Sequence, residues 1–247
     1  RRFVGGNSIV ATPAPSGRVL LTLGALGVLL AAADTYVVVL ALPEMMGAVD
    51  IEPDELHRAA PIISIFLLGY VAAVPLAGRL SDVLGRRVVL VGALGVFAVG
   101  SLVTATSTSL AAIVTGRLLQ GAGGGALVPV ALALVADLWP QDRRGRPLGW
   151  LGAAQELGAL LGPLLGAAIL AVSDWRAIFW LNLALGVALA MGCIGRVKRP
   201  RDLPAISLLV IAAAAGALAL VRPQSWVEDV DLGLLFLPVV GESPWLS

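Results

Sequence analysis

Three ionisable residues, Asp34, Arg117 and Glu156, lie within long apolar runs of the sequence. The run LLAAADTYVVVLALP at 29–43 contains Asp34 and no other charged side chain. An ionised carboxylate at the centre of a bilayer costs at least about 2.5 kcal/mol, and such residues usually mark ion or substrate pathways. The three residues therefore predict a site that handles charge inside a membrane.

Two acids and one base leave one carboxylate in excess. Arginine does not release its proton, so Arg117 can neutralise one acid permanently or alternate between Asp34 and Glu156. The acid that is left without a partner could then bind and release protons near neutral pH, which is a minimal proton carrier. The alternative is a static buried ion pair that fixes helix packing, with Glu156 only hydrogen-bonded.

The composition indicates that these apolar runs belong to a membrane protein. Of the 247 residues, 58% are hydrophobic and 13% are charged, whereas soluble domains are about 25% charged. The single Cys193 excludes a disulfide framework and a thiolate metal cluster, and the single His57 excludes a histidine metal site. The sequence carries no ATP-binding motif, so a proton gradient is the expected energy source and no cofactor is expected.

The apolar runs predict an all-α integral membrane protein, because a spanning helix needs about 20 apolar residues. A cytoplasmic tail, 1–18, would precede a six-span bundle, 19–195, and a linker region would follow at 196–247. The predicted spans are 19–43, 59–77, 88–107, 109–137, 147–172, 177–195 and 203–222, with the start of an eighth at 232–240. Counted along the helices, the three charged residues share one layer near the middle of the bilayer.

Lysine and arginine in the short loops predict the orientation. Thirteen of the seventeen basic residues fall on one side of the predicted spans and three on the other. Because cytoplasmic loops carry the excess of basic residues, the amino terminus is expected in the cytoplasm and the chain in the cell membrane. Tryptophans near the span ends, Trp139, Trp150, Trp175 and Trp180, are expected as interfacial anchors.

Small residues recur at helical spacing in two spans. In span 5, Gly158, Gly162 and Gly166 form a stripe that allows close helix packing, and Pro163 allows a bend. Span 4 has a related stripe that consists of Arg117, Gly121 and Gly124, with Gln120 beside it.

The loop between spans 2 and 3, GRLSDVLGRR at 78–87, is the other candidate for chemistry. Gly78 and Gly85 are expected to form tight turns at helix ends. Asp82 is expected to accept hydrogen bonds from the amides that start span 3. Arg86, followed by Arg87, is placed to pair with an acid on a neighbouring helix, and Asp137 is the nearest candidate. Such a cluster would hold the cytoplasmic helix ends together in one state and release them in another.

These motifs resemble those of the major facilitator superfamily. GRLSDVLGRR resembles its signature loop, RLLQGAGGGA (117–126) its span 4 motif, and GALLGPLLGA its antiporter motif in span 5. DTYVVVLALP and SDWRAIFWLN (173–182) are typical of the fourteen-span drug:proton antiporter branch. Within that branch the chain is similar to mycobacterial exporters of triacylglycerides and drugs that work with a lipid-carrying lipoprotein.

The resemblance implies a fold and a set of roles. It implies inverted three-helix repeats in the six-span bundle, with spans 7 and 8 as linker helices and a carboxy-terminal half missing. It makes Asp34, Glu156 and Arg117 the cavity residues and makes the 78–87 loop the gate. The implied function is proton-coupled export of lipid or drug-like cargo by alternating access, with a periplasmic lipoprotein as a partner.

Three other functions are compatible with parts of the sequence. A facilitator or importer of a small polar solute would need more polar side chains in the spans than Gln120, Gln155 and Asn182. A membrane-embedded lipid enzyme would need a nucleophile, a metal or a second base near Asp34 or Glu156. A structural or receptor-like scaffold would keep its function when the three buried charges are neutralised.

Overall fold

The computed structural model describes residues 15–194 and Val210. Six long α-helices form the bundle: α1 Pro15–Gly47, α2 Leu56–Leu84, α3 Arg86–Ala105, α4 Leu110–Leu138, α5 Gly145–Leu170 and α6 Arg176–Ile194. All six are long and apolar enough to cross a membrane, which confirms the predicted all-α membrane fold. Several helices extend past the apolar runs, since a helix can continue into the headgroup layer. The tail at 1–14 and the spans predicted at 203–222 and 232–240 lie outside the described residues, apart from Val210.

Consecutive helices run in opposite directions. The starts of α1, α3 and α5 and the ends of α2, α4 and α6 lie at one end of the bundle, which we call the basic end. Seven of the ten arginines in the described part belong to it: Arg18, Arg79, Arg86, Arg87, Arg143, Arg144 and Arg146. Within the bundle, α4 packs against α2 and α3, α1 packs against α5, and α3 packs against α6.

Two of the helix boundaries have clear local causes. A single residue, Gly85, joins α2 to α3 with φ 95° and ψ 143°, a backbone conformation that is essentially restricted to glycine. At the start of α4, the Ser109 hydroxyl accepts a hydrogen bond of 3.3 Å from the Ala112 amide, which satisfies one of the unpaired amides of the first turn.

The core of the bundle consists of two apolar clusters. One lies toward the basic end and includes Val28, Leu94 and Leu127. The other lies toward the opposite end and includes Val37 and Ile113. Between them, α1, α3, α4 and α6 each contribute buried polar side chains, namely Asp34, Ser101, Thr104, Arg117, Gln120 and Asn182. The bundle is therefore apolar at two levels and polar at the level between them.

Glycines bring two pairs of helices into backbone contact. A Cβ placed on Gly162 of α5 would lie 2.5 Å from the Ala33 carbonyl oxygen of α1, and a Cβ on Gly158 would overlap the Leu29 carbonyl oxygen. On α4, a Cβ on Gly121 or Gly125 would overlap the carbonyl oxygens of Phe66 and Tyr70 of α2. In both pairs the glycines are four residues apart, so one helix approaches the other along a single stripe.

The stripe on α4 differs from the predicted one. Gly124 faces Ala31 of α1 and Gly123 faces α3, so the contact with α2 is made by Gly121 and Gly125. The cause is that α4 is surrounded by three neighbouring helices and needs small residues on more than one face. On α5, Gly166 meets the Val37 side chain rather than backbone, and Pro163 lies within a continuous helix.

The glycine contact between α1 and α5 can be tested with two alanine substitutions on α5. We expect Gly162→Ala to lower the free energy of unfolding by about 1–3 kcal/mol, because the added methyl group must push the two backbones apart. Gly152→Ala is the matched control, since its Cβ would meet nothing within 4 Å; the control should be neutral or slightly stabilising. Equal melting temperatures of the two variants in detergent would contradict the close contact.

Candidate functional site

The polar layer is centred on an ion pair between α1 and α4. Arg117 Nη1 lies 2.6 Å from Asp34 Oδ2, and both residues are 1% exposed. Charge-assisted hydrogen bonds of this kind are about twice as strong as neutral ones. Because removing one partner would leave an uncompensated buried charge, loss of either side chain should be strongly destabilising.

Amide and hydroxyl side chains complete the hydrogen bonding of this pair. Asn182 Nδ2 of α6 donates to Asp34 Oδ1 at 2.6 Å, and Gln120 Nε2 donates to the same oxygen at 3.4 Å. Gln120 also accepts from Arg117 Nη1 at 3.0 Å and donates to Ser101 Oγ of α3 at 3.0 Å. In the described part of the chain, every buried side-chain nitrogen and oxygen has a hydrogen-bond partner. The network therefore joins α1, α3, α4 and α6.

α2 contributes the remaining contacts of the guanidinium. Arg117 Nε donates to the Ile62 carbonyl oxygen at 3.4 Å. The guanidinium carbon lies 4.2 Å from the centroid of the Phe66 ring and 6.0 Å from that of Phe179. A desolvated cation over an aromatic face is stabilised by the ring quadrupole. Sequence reasoning did not single out Phe66, since one phenylalanine in an apolar helix gives no signal.

Glu156 lies in a separate compartment from the ion pair. It is exposed on α5 and lines a cavity of about 210 Å³ with Thr35, Tyr36, Tyr70 and Phe66. Arg117 forms its ion pair with Asp34, and Glu156 makes no ion pair or hydrogen bond with any described residue. One acid is thus buried in an ion pair, while the other is exposed and forms no ion pair with a described residue.

At the basic end, Arg86 connects three helices. Its Nε donates to Asp137 Oδ2 of α4 at 3.0 Å, and its Nη1 donates to Ser81 Oγ of α2 at 2.7 Å and also to Asp82. The side chains of Asp82 and Asp137 are 65% and 51% exposed, so this cluster is half-solvated. The next residue, Arg87, donates from Nε to the Cys193 carbonyl oxygen at the end of α6, at 3.1 Å.

Two expectations for the 78–87 loop were wrong. Gly78 lies within α2, six residues before its end, and only Gly85 forms the turn. The amides that start α3 have no side-chain cap from Asp82. Asp82 belongs to the last turn of α2, where the Arg86 guanidinium reaches it and offers a charge-assisted hydrogen bond.

Contacts at the opposite end join three helix termini. Glu44 Oε2 near the end of α1 accepts from the Trp175 amide at 3.1 Å, just before α6 begins. Arg176 Nη2 donates to the Ser107 carbonyl oxygen after α3 at 3.1 Å, and its guanidinium lies 4.4 Å from the Trp175 ring centroid. Trp175 is 2% exposed and packs edge-on against Phe179, so its expected role as an interfacial anchor was wrong. The cause is that the α5–α6 turn folds its ring inward.

The family model for the Major Facilitator Superfamily matches residues 24–240. A triacylglyceride transporter of Mycobacteroides abscessus is 44% identical over 227 residues, which cover 89% of this chain and 44% of that protein. A triacylglyceride transporter of Mycobacterium tuberculosis is 44% identical over 210 residues, covering 81% and 40%. The chain thus spans less than half the length of these relatives.

Solved structures agree on the fold. The human organic anion transporter MFSD10 matches with a TM-score of 0.58 and 27% identity, over 74% of this chain and 48% of that one. A D-xylose-proton symporter matches with a TM-score of 0.64 and 19% identity, over 81% and 53%, which is a likeness of fold alone. The family and the relatives carry the names of transporters rather than enzymes. The match over most of the chain, together with the six-helix bundle, means that this chain belongs to the major facilitator superfamily.

Proposed function

We propose that the protein containing this chain is a proton-coupled exporter of hydrophobic cargo, lipid or drug-like, that works by alternating access. The observation that carries the proposal is that the two acids lie in different surroundings. A fixed pair, Asp34–Arg117, closes the bundle, and an unpaired Glu156 faces a cavity. An accessible acid can exchange protons with water, and a pair sealed from water cannot do so without opening.

The lipid nature of the cargo is inferred from the names of relatives. Two relatives that share 44% identity with this chain are named triacylglyceride transporters. The cavity near Glu156 also contains Thr35, Tyr36, Tyr70 and Gln155. Because these polar groups could serve a polar solute, the transport assay must include a sugar as a comparison. A lipoprotein acceptor on the far side of the membrane belongs to the proposal, since a triacylglyceride leaving the bilayer must be shielded from water.

The roles of the three charged residues can be separated by transport and stability together. In proteoliposomes with an imposed pH gradient, Glu156→Gln should reduce lipid efflux at least about tenfold, as loss of an acid–base group does. Its melting temperature should not change, because Glu156 is exposed. Asp34→Asn should lower the free energy of unfolding by about 3–5 kcal/mol, because Arg117 is left unpaired.

A double variant, Asp34→Asn with Arg117→Gln, decides between the two interpretations of the pair. Removing both charges should restore much of the stability. If gradient-driven efflux also returns, the pair is only structural. If collapse of the pH gradient leaves efflux by the unaltered protein unchanged, or if the sugar is transported in preference to lipid, the proposed function is wrong.

The Arg86 cluster is proposed as a gate. Asp137→Asn should change the free energy of unfolding by less than about 1 kcal/mol, because the pair is half-exposed. The same change should alter the efflux rate several-fold, since the ends of α3 and α4 then separate more easily. Asp142→Asn is the control, because Asp142 pairs with the adjacent Arg143 at 3.7 Å and joins no two helices. Identical rates for both variants would rule out the gate.

We also propose that the basic end faces the cytoplasm of the cell that carries this protein in its cell membrane. Asp54→Cys, in the α1–α2 connection, should react with a membrane-impermeant maleimide on intact cells. Gln141→Cys, in the α4–α5 connection, should react only after lysis. Both positions are exposed and Cys193 is fully buried, and the protein without either substitution gives the background labelling. The reverse pattern would invert the topology.

A further inference from the structure

A groove between α1 and α5 opens toward the basic end. It has a volume of about 620 Å³ and contains no acidic side chain. From α1 it is lined by Arg18, Leu21, Thr22, Ala25, Leu26 and Leu29, and from α5 by Arg146, Pro147, Trp150, Leu151, Ala153, Ala154 and Leu157, with Trp139 beside them. The site lies apart from the Asp34–Arg117 network and from the cavity at Glu156.

The groove exists because the glycine contact between the two helices stops. Gly158 touches the backbone of α1 at Leu29, whereas nearer the basic end a Cβ on Gly152 or Gly149 would meet nothing within 4 Å. Leu157 and Trp150 line the space there. The helices are therefore held together near the membrane centre and leave space between them at the basic end. A groove that is closed at the middle of the membrane and open at its surface can hold an acyl chain with its headgroup at the opening.

The depth of the groove matches one leaflet. Arg18 and Leu29 are eleven residues apart on α1, and Arg146 and Leu157 are eleven residues apart on α5. At 1.5 Å per residue, both walls run for about 16 Å, which is close to half of a hydrocarbon core about 30 Å thick. The arginines therefore lie at headgroup depth when the leucines lie near the bilayer centre.

The charge at the mouth of the groove is not neutralised within the bundle. Neither Arg18 nor Arg146 forms an ion pair with an acid in the described part of the chain. By contrast, the neighbouring Arg144 donates to the Trp139 and Ala136 carbonyl oxygens. Trp150, at the same level, is 75% exposed, as expected for an indole in the headgroup region.

We propose that this groove binds one anionic phospholipid from the leaflet at the basic end. The phosphate lies between Arg18 and Arg146, and an acyl chain lies along the leucine and alanine wall. Arginine favours phosphate because its planar fork of donors matches two phosphate oxygens. A triacylglyceride has no phosphate and would leave both arginines without a partner, and in a zwitterionic phospholipid the ammonium group offsets the phosphate charge. A free phosphate would leave the apolar wall empty. The inference goes beyond the proposed function, since the phospholipid is a bound component and not the cargo.

Native mass spectrometry of the full-length protein in detergent can test this proposal. The probes are phosphatidylglycerol, phosphatidylcholine with the same acyl chains, and inorganic phosphate. We expect one phosphatidylglycerol to bind at least about tenfold more tightly than phosphatidylcholine, because two arginines near the membrane surface attract an anionic headgroup. Equal binding of the two lipids, or saturable binding of inorganic phosphate alone, would overturn the proposal.

Matched variants localise the binding to the groove. Arg18→Gln with Arg146→Gln should weaken phosphatidylglycerol binding about tenfold or more. Arg79→Gln with Arg143→Gln removes the same charge from the same end outside the groove and should leave binding unchanged. Ala154→Phe, which fills the apolar wall but keeps both arginines, should also reduce binding. Melting temperatures identify any variant that misfolds, and unchanged binding in a folded Arg18/Arg146 variant or in a folded Ala154 variant would refute the site.

Discussion

The Asp34–Arg117 ion pair is the interaction on which the rest of the bundle depends. Two charges with 1% exposure are tolerable in a membrane protein only if the cost of removing them from water is recovered by close geometry and complete hydrogen bonding. The chain meets this condition with residues from every helix that surrounds the pair. Asn182 and Gln120 donate hydrogen bonds to the Asp34 carboxylate. The Ile62 carbonyl oxygen accepts a hydrogen bond from the Arg117 guanidinium, and the Phe66 ring lies against it. The polar layer therefore specifies how α1, α2, α3, α4 and α6 must be arranged.

Glycine makes this sealed layer possible. Gly121 lets α4 touch the backbone of α2 beside Phe66, and Gly162 lets α5 touch the backbone of α1 beside Asp34. Both contacts occur at the level of the ion pair, where any space between helices would admit water. Since no hydrophobic effect draws helices together in lipid, close packing and interhelical hydrogen bonds must do so. The small residues and the polar network thus together hold the helices in contact at this level.

The number and type of the helices could be predicted from the sequence, but several of the contacts between charged side chains could not. Length and hydropathy were enough for the six helices, because a bilayer sets the length of a span. The proximity of Arg86 to Asp137 was predictable, because short connections force antiparallel neighbours and bring those helix ends together. The separation of Glu156 from Arg117 was not, because depth along a helix says nothing about the direction in which a side chain points. The expected cap by Asp82 on the start of α3 was wrong, because the turn at Gly85 leaves Asp82 in the last turn of α2, where Arg86 reaches it.

Phe66 touches the fixed charges and also lines the cavity of Glu156. Its ring is therefore a wall that the buried pair and the cavity share. A helix movement that displaces this ring would remove the cation–π contact of the Arg117 guanidinium. A change in the shape of the cavity can in this way reach the ion pair mechanically, through one side chain.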